Sequence, residues 1–99
     1  RERAKGYDRR TEQAMEIVFL PKADEDLEYW IVTGNKTVLK KIAQLTEAIL
    51  CAPYTGIGKP EALKHQLAGK WSRRITGEHR YIYQIDGEIM KVYSLRGHY

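Results

Sequence analysis

Between Trp71 and Leu95 the chain carries three short β-rich runs separated by two turns, and the second turn holds the dipeptide Asp86-Gly87. Asp-Gly between two such runs is among the strongest short hairpin signals, because Gly adopts positive φ freely and Asp tolerates it. The runs His79 to Ile85 and Glu88 to Leu95 are therefore expected to pair antiparallel. The first turn, Thr76-Gly77-Glu78, reads as a three-residue loop, which sets Arg74 opposite Arg80 and Trp71 opposite Tyr83. Paired residues share a face of the sheet. Arg74 and Arg80 would then lie side by side on one face, with Trp71, Ile75, Tyr81, Tyr83 and Ile85 on the other. Like charges placed directly opposite are unfavourable unless an anion lies between or above them. The pair points to a phosphate.

The apolar face of that sheet needs a cover, and the first half of the chain supplies it. Met15 to Leu20 is a plausible first strand. Pro21 sits where a helix can open, and Asp24, Glu25 and Asp26 suit its N-terminal turn. Ala23, Leu27, Trp30 and Ile31 fall on one helical face, and Gly34 ends the run. Asn35 is a fair N-cap for a longer helix whose Val38, Ile42, Leu45 and Ile49 recur at helical spacing, with Lys40, Lys41 and Gln44 turned outward. Pro53 stops it. Cys51, at its end, reads as a packing residue rather than a nucleophile. The order β-α-α-β-β-β predicts an α+β fold of two layers, an antiparallel sheet with both helices packed on one face.

One domain is all that 99 residues hold. Residues 1–14 are polar and without apolar period, and are set aside as a flexible extension or cloning remnant; Met15 looks like the natural start, and residues 15–99 form the domain. With 42% hydrophobic residues and ten aromatics the chain is a folded one. A single cysteine excludes an internal disulfide, and no apolar run is long enough to span a bilayer, so a soluble cytoplasmic protein is expected. The formal net charge of +4 is unevenly spread: residues 1–14 carry +2, residues 15–58 carry −2 and residues 59–99 carry +4. A basic C-terminal half favours an anionic partner, nucleic acid first, over a merely solvated surface.

Residues 54–69, with Gly56, Gly58, Pro60 and Gly69, read as a long loop, with a helical turn around Pro60 to Leu63 and with Leu63 and Leu67 holding it to the core. The stretch from Gly58 to Arg80 and the ending Arg96-Gly97-His98-Tyr99 gather Lys, Arg, His, Glu and Tyr. No phosphate-binding glycine motif or nucleophile elbow is present, and His65, His79 and His98 lack metal-ligand spacing, so neither a metal nor a cofactor is expected. What remains suits metal-free RNA cleavage. The 2′-hydroxyl must lose a proton as it attacks phosphorus, the departing 5′-oxygen must gain one, and the phosphorane needs positive donors. Taken singly, Glu61 would be a surface acid paired with Lys64, His79 a structural residue pointing toward the helices, and His98 and Tyr99 a chain end.

Gly58-Lys59-Pro60-Glu61, Leu63-Lys64-His65, Leu67, Gly69, Trp71-Ser72-Arg73-Arg74-Ile75, Glu78-His79-Arg80, Tyr83 and the ending Arg96, His98-Tyr99 together resemble the Txe/YoeB family of RelE-like toxins. The resemblance runs from Met15 to Tyr99; Gly77 and Tyr81 depart from the family pattern, outside any proposed role. It implies the RelE-like fold and the toxin of a bacterial type II toxin–antitoxin pair. Such toxins enter the A site of translating ribosomes and cut mRNA, leaving a 2′,3′-cyclic phosphate. On that resemblance Glu61 takes the place of the general base, His98 of the general acid, Arg80 of the arginine that stabilises the phosphorane, and Tyr99 of a residue orienting the substrate. Lys64, His65 and Arg74 match groove positions, and Lys59 and Arg73 of the same basic stretch are taken with them as RNA contacts. The implied partners are the ribosome with its mRNA and a YefM-like antitoxin whose disordered C-terminal segment folds across the toxin; a homodimer stays open.

Two rivals belong to other classes. One is a non-catalytic toxin of the ParE type, and the other a basic RNA-binding module. Neither requires the set Glu61, Arg80, His98 and Tyr99.

Overall fold

The computed structural model describes residues 15–98. Strand β1 (Glu16–Phe19) leads through Leu20 into helix α1 (Pro21–Val32), with Pro21 at its first turn. There the ring's fixed φ suits the helix and its missing N–H has no partner to lose. Helix α2 (Lys36–Cys51) opens on Asn35, whose side chain accepts a hydrogen bond from the Val38 amide at 3.1 Å, as an N-cap should. Val38, Ile42, Leu45 and Ile49 are all buried, so the stripe read from spacing is the stripe that packs. The remaining strands are β2 (Glu61–Ala62), β3 (Trp71–Arg74), β4 (Arg80–Asp86) and β5 (Ile89–Ser94).

The five strands form one sheet in the order β1-β5-β4-β3-β2. Arg74 pairs with Arg80 and Trp71 with Tyr83, the register set by the Thr76-Gly77-Glu78 loop. Ala23, Trp30, Val38, Ile42, Leu45 and Ile49 of the helices close a core with Tyr81, Tyr83, Met90 and Val92 of the sheet. The fold is α+β, two helices on a five-stranded sheet.

Four details correct the sequence reading. The sheet is mixed, because β1 lies parallel to β5 while the other pairs are antiparallel. A strand separated from its neighbour by two helices and a meander is free of hairpin geometry, and the pairing that turns Ile17 and Phe19 to the core wins. Residues 60–63 do not make a helical turn. Glu61 and Ala62 instead pair antiparallel with Ser72 and Trp71, and the only short helical turn of this loop is His65–Leu67. In α1, Ile31 is 54% exposed, and Asp26, taken for an N-terminal acid, is buried. Cys51 is exposed, not packed, because α2 has turned past its buried stripe there. The extension expected at residues 1–14 lies outside the described residues, and among those described no helix is long and apolar enough to cross a membrane.

Candidate active site

Strand alternation distributes the charged side chains before any chemistry is considered. Arg74 and Arg80 share the face turned away from the helices, and so does Glu61, which pairs with Ser72 two residues before Arg74. Diagonal neighbours on adjacent strands lie about 7–8 Å apart, within reach of long side chains. Glu61 and Arg74 therefore border the same patch, both exposed.

The segment that brings Glu61 there is pinned at both ends. Upstream, the Gly58 carbonyl accepts from the Arg74 amide at 2.7 Å. Gly58 has φ +82, and a Cβ there would meet Leu45 at 2.8 Å, so the close approach of loop to α2 requires glycine. Downstream, the Leu63 amide donates to the Lys70 carbonyl at 2.9 Å, and Leu63 is buried. Between and beside these pins, Lys59 and His65 hold positive φ, 53° and 59°. Non-glycine residues in this region are uncommon and gather at functional sites. Lys59, Lys64 and His65 lie along this one segment with Glu61; Lys64 and His65 are exposed at the turn that follows it.

Arg80 begins β4 and is half-buried. Its Nη1 donates to the carbonyls of Thr76 at 2.8 Å, Gly77 at 3.2 Å and His79 at 3.2 Å. The guanidinium thus braces its own turn with one nitrogen, and its backbone N–H donates to the Gly97 carbonyl at 3.0 Å. That bond sets the residues just before His98 beside Arg80. His98 is exposed, and Tyr99 lies outside the described residues.

Arg73 is a correction. It was expected among the RNA contacts, yet its side chain is among the largest fully buried ones. Alternation explains it, since Arg73 pairs with Tyr81 and so faces the helices. Its guanidinium donates to the carbonyls of Ala52 at 2.6 Å, Thr55 at 2.8 Å and Ile57 at 3.1 Å, and to the Tyr83 hydroxyl at 3.3 Å. It organises the loop leading to Glu61 from inside. The signal was present in the sequence, because Arg73 stands between Trp71 and Ile75 on a period-two pattern already assigned to the core.

Sequence reasoning puts Trp30 on the buried face of α1 and Asp26 in its first turns, but gives no sign of what their polar atoms hold. Asp26 accepts from Lys22 Nζ at 2.6 Å and from the Leu95 amide at 2.9 Å, and Trp30 Nε1 donates to the Leu95 carbonyl at 3.0 Å. Both sit on α1 and hold the end of the chain. On the open face, Lys70 Nζ lies 4.5 Å from the Tyr93 ring centroid, and the Tyr93 hydroxyl donates to Gln84 at 2.9 Å. Lys91, also half-buried, is paired with Asp86 at 2.9 Å, a contact that holds its amine above the usual lysine range.

The arrangement puts a carboxylate and two guanidinium groups on one sheet face, with His65 on the turn after β2 and His98 one residue past the Gly97 bonded to Arg80, groups of the kinds that move protons around a phosphodiester. Comparison with known proteins places the chain in a family. Residues 19–99 match the model for the YoeB-like toxin of bacterial type II toxin–antitoxin systems. Toxin YoeB of Escherichia coli strain K12 is 40% identical over 85 residues, covering 86% of this chain and all of that protein. Among solved structures, a YoeB dimer from Staphylococcus aureus is similar at 42% identity and a TM-score of 0.78, over 86% of this chain and 98% of that one. A YoeB–YefM complex from the same organism gives 43% identity and a TM-score of 0.77 over the same shares. The chain belongs to the family of YoeB-like toxins of bacterial type II toxin–antitoxin systems.

Proposed function

We propose that this toxin is a ribosome-dependent mRNA endoribonuclease that cuts by general acid–base catalysis in the A site. The observation carrying this reading is that Glu61 shares an open sheet face with Arg74 and Arg80, while Gly97 is bonded to Arg80 one residue before His98. A pure binding surface needs positive charge; it does not need a carboxylate among the cations.

In this reading the Glu61 carboxylate takes the proton from the 2′-hydroxyl as that oxygen attacks phosphorus. Arg80 and Arg74 balance the charge developing on the phosphorane oxygens. His98 gives a proton to the departing 5′-oxygen, leaving a 2′,3′-cyclic phosphate and a 5′-hydroxyl, and Tyr99 orients the substrate. Lys59, Lys64 and His65 hold the RNA backbone along the β2 segment. Each proton-transfer partner contributes about 10²–10⁴-fold, and an oxyanion-type donor about 10²–10³-fold. The protein acts in the cytoplasm, where its ribosomal substrate is, and is neutralised by a YefM-like antitoxin, as the S. aureus YoeB–YefM complex suggests. The S. aureus dimer makes a homodimer the assembly to test first.

Primer extension on mRNA programmed into ribosomes tests the reading. The parent protein should leave a cut within the A-site codon, and Glu61→Gln and His98→Ala should each lose at least about 100-fold in rate. Translation arrest without a cut, or undiminished cutting by both variants, would mean a binding toxin.

A further inference from the structure

Leu95, Arg96 and Gly97 lie beyond the last strand, yet each is held by side chains from elsewhere. The Leu95 N–H donates to Asp26 and its carbonyl accepts from Trp30 Nε1; the Arg96 carbonyl accepts from Lys22 Nζ at 3.1 Å and from the Ser94 hydroxyl at 3.2 Å. At Gly97 both backbone groups are engaged by consecutive residues. Its N–H donates to His79 Nδ1 at 2.9 Å, and its carbonyl accepts from the Arg80 N–H. Gly97 has φ +86, so the chain bends sharply at the residue His79 grips. Ordering a chain end costs about 1–2 kcal/mol per residue in backbone entropy, and these bonds are what offsets it.

His79 occupies a special position in this strap. Its ring packs edge-on against Trp30, with centroids 4.9 Å apart and planes at 80°, and Trp30 holds Leu95. It also neighbours Arg80 in sequence. One imidazole thus ties α1, the β3–β4 turn and the C-terminal segment together, one residue from His98. Accepting at Nδ1 requires the ring proton on Nε2, which lies 4.0 Å from Glu78. Packing alone would be served by any ring. The acceptor would not.

We infer that His79 is a positioning residue: through its Nδ1 bond to Gly97 it sets the place of His98 beside Arg80 for proton transfer. The inference rests on the nuclease reading above, and acts on it only through His98. It does not require His79 to touch RNA.

Two variants separate acceptor from ring. His79→Asn keeps an acceptor near the Nδ1 position without the ring, and His79→Phe keeps the ring against Trp30 without the acceptor. Hydrogen exchange of the Gly97 amide and single-turnover cleavage on programmed ribosomes are measured for both. For His79→Phe, exchange should rise about 10-fold, as for one lost hydrogen bond, and cleavage should fall about 10–100-fold at unchanged half-saturation. For His79→Asn both should stay within about 3-fold of the parent, because the bond is kept. Parental cleavage by His79→Phe, unchanged exchange in it, or a His79→Asn variant as impaired as His79→Phe would overturn the inference. If the parent itself cuts nothing, the nuclease reading fails and the catalytic part of the inference falls with it; exchange at Gly97 still decides whether His79 holds the strap.

Discussion

Arg73 and Tyr83 meet inside the protein. The arginine Nε donates to the tyrosine hydroxyl at 3.3 Å, and that hydroxyl donates in turn to the Pro53 carbonyl at 2.5 Å. With the carbonyls of Ala52, Thr55 and Ile57 on its Nη atoms, Arg73 satisfies a turn whose large apolar side chains, Tyr54 and Ile57, stay exposed. Gly56 fits this cage because a Cβ there would lie 3.2 Å from Arg73 Nη1. The loop that presents Glu61 therefore hangs on a buried cation.

Replacing Arg73 should unfold that loop before it affects RNA. Arg73→Met leaves three carbonyls without this donor and takes one hydrogen bond from the Tyr83 hydroxyl, and each buried acceptor left unsatisfied costs about 1–3 kcal/mol. Arg73→Lys should recover only part of this, since an ammonium cannot reproduce the planar fork. Urea unfolding checks both. A loss under about 1 kcal/mol for Arg73→Met, the scale of an ordinary surface change, would return Arg73 to the surface.

Arg74, one residue on, should behave in the opposite way. It is exposed and directly opposite Arg80, so Arg74→Gln relieves a like-charge pair. Stability should hold or rise by up to about 0.5 kcal/mol at low salt, with the gain fading as salt screens it. Binding to RNA should weaken, and the salt dependence of its affinity should become shallower by about one phosphate contact. Unchanged RNA affinity in Arg74→Gln would remove Arg74 from the site.

Lys59 tests whether strain serves function. Its φ of 53° costs a non-glycine residue about 1–2 kcal/mol, of which glycine returns part through a more flexible unfolded chain. Lys59→Gly should therefore leave stability equal or higher by up to about 1 kcal/mol. It should also slow cleavage, because the cation is gone. A variant that is both more stable and as fast as the parent would show that Lys59 is strained for no functional end.

The β3–β4–β5 meander was legible because its signals are local. Asp86-Gly87 and the Thr76-Gly77-Glu78 loop fix register between neighbours in sequence, and the Arg74–Arg80 pair follows from counting. Asn35 and the Val38 to Ile49 stripe are equally local. What escaped depends on partners far along the chain. Asp26 looked like a helix-opening acid, and nothing near it in sequence says that it accepts the Leu95 amide. The edge strand β1 is separated from β5 in sequence by both helices and three strands, so its parallel direction has no local signal. Glu61 was picked out correctly as exposed, but the strand that carries it is only two residues long, below what alternation can reveal. Arg73 failed for another reason. Charge outweighed the period-two pattern, and the pattern was right.

The core tyrosines predict how stability ends at high pH. Burial pushes the Tyr81 hydroxyl up to about 12, against a weaker opposing hydrogen bond with Thr46 Oγ1 at 2.7 Å, and burial also raises Tyr83, opposed by Arg73. A phenol whose folded pKa lies above its unfolded value keeps its proton in the native state while the unfolded chain loses it. The unfolded chain then binds fewer protons, so stability falls with rising pH. The contribution is whole below pH 10, declines from there, and is gone above about 12. Two pH units correspond to about 2.7 kcal/mol for Tyr81, with Tyr83 adding in the same direction. Tyr81→Phe should be less stable at neutral pH by about 1 kcal/mol for the lost hydrogen bond, yet its stability should fall less steeply above pH 10. Urea unfolding at a series of alkaline pH values, with tyrosinate absorbance followed alongside, checks the slope. An equal alkaline slope in parent and variant would show that Tyr81 ionises as readily folded as unfolded.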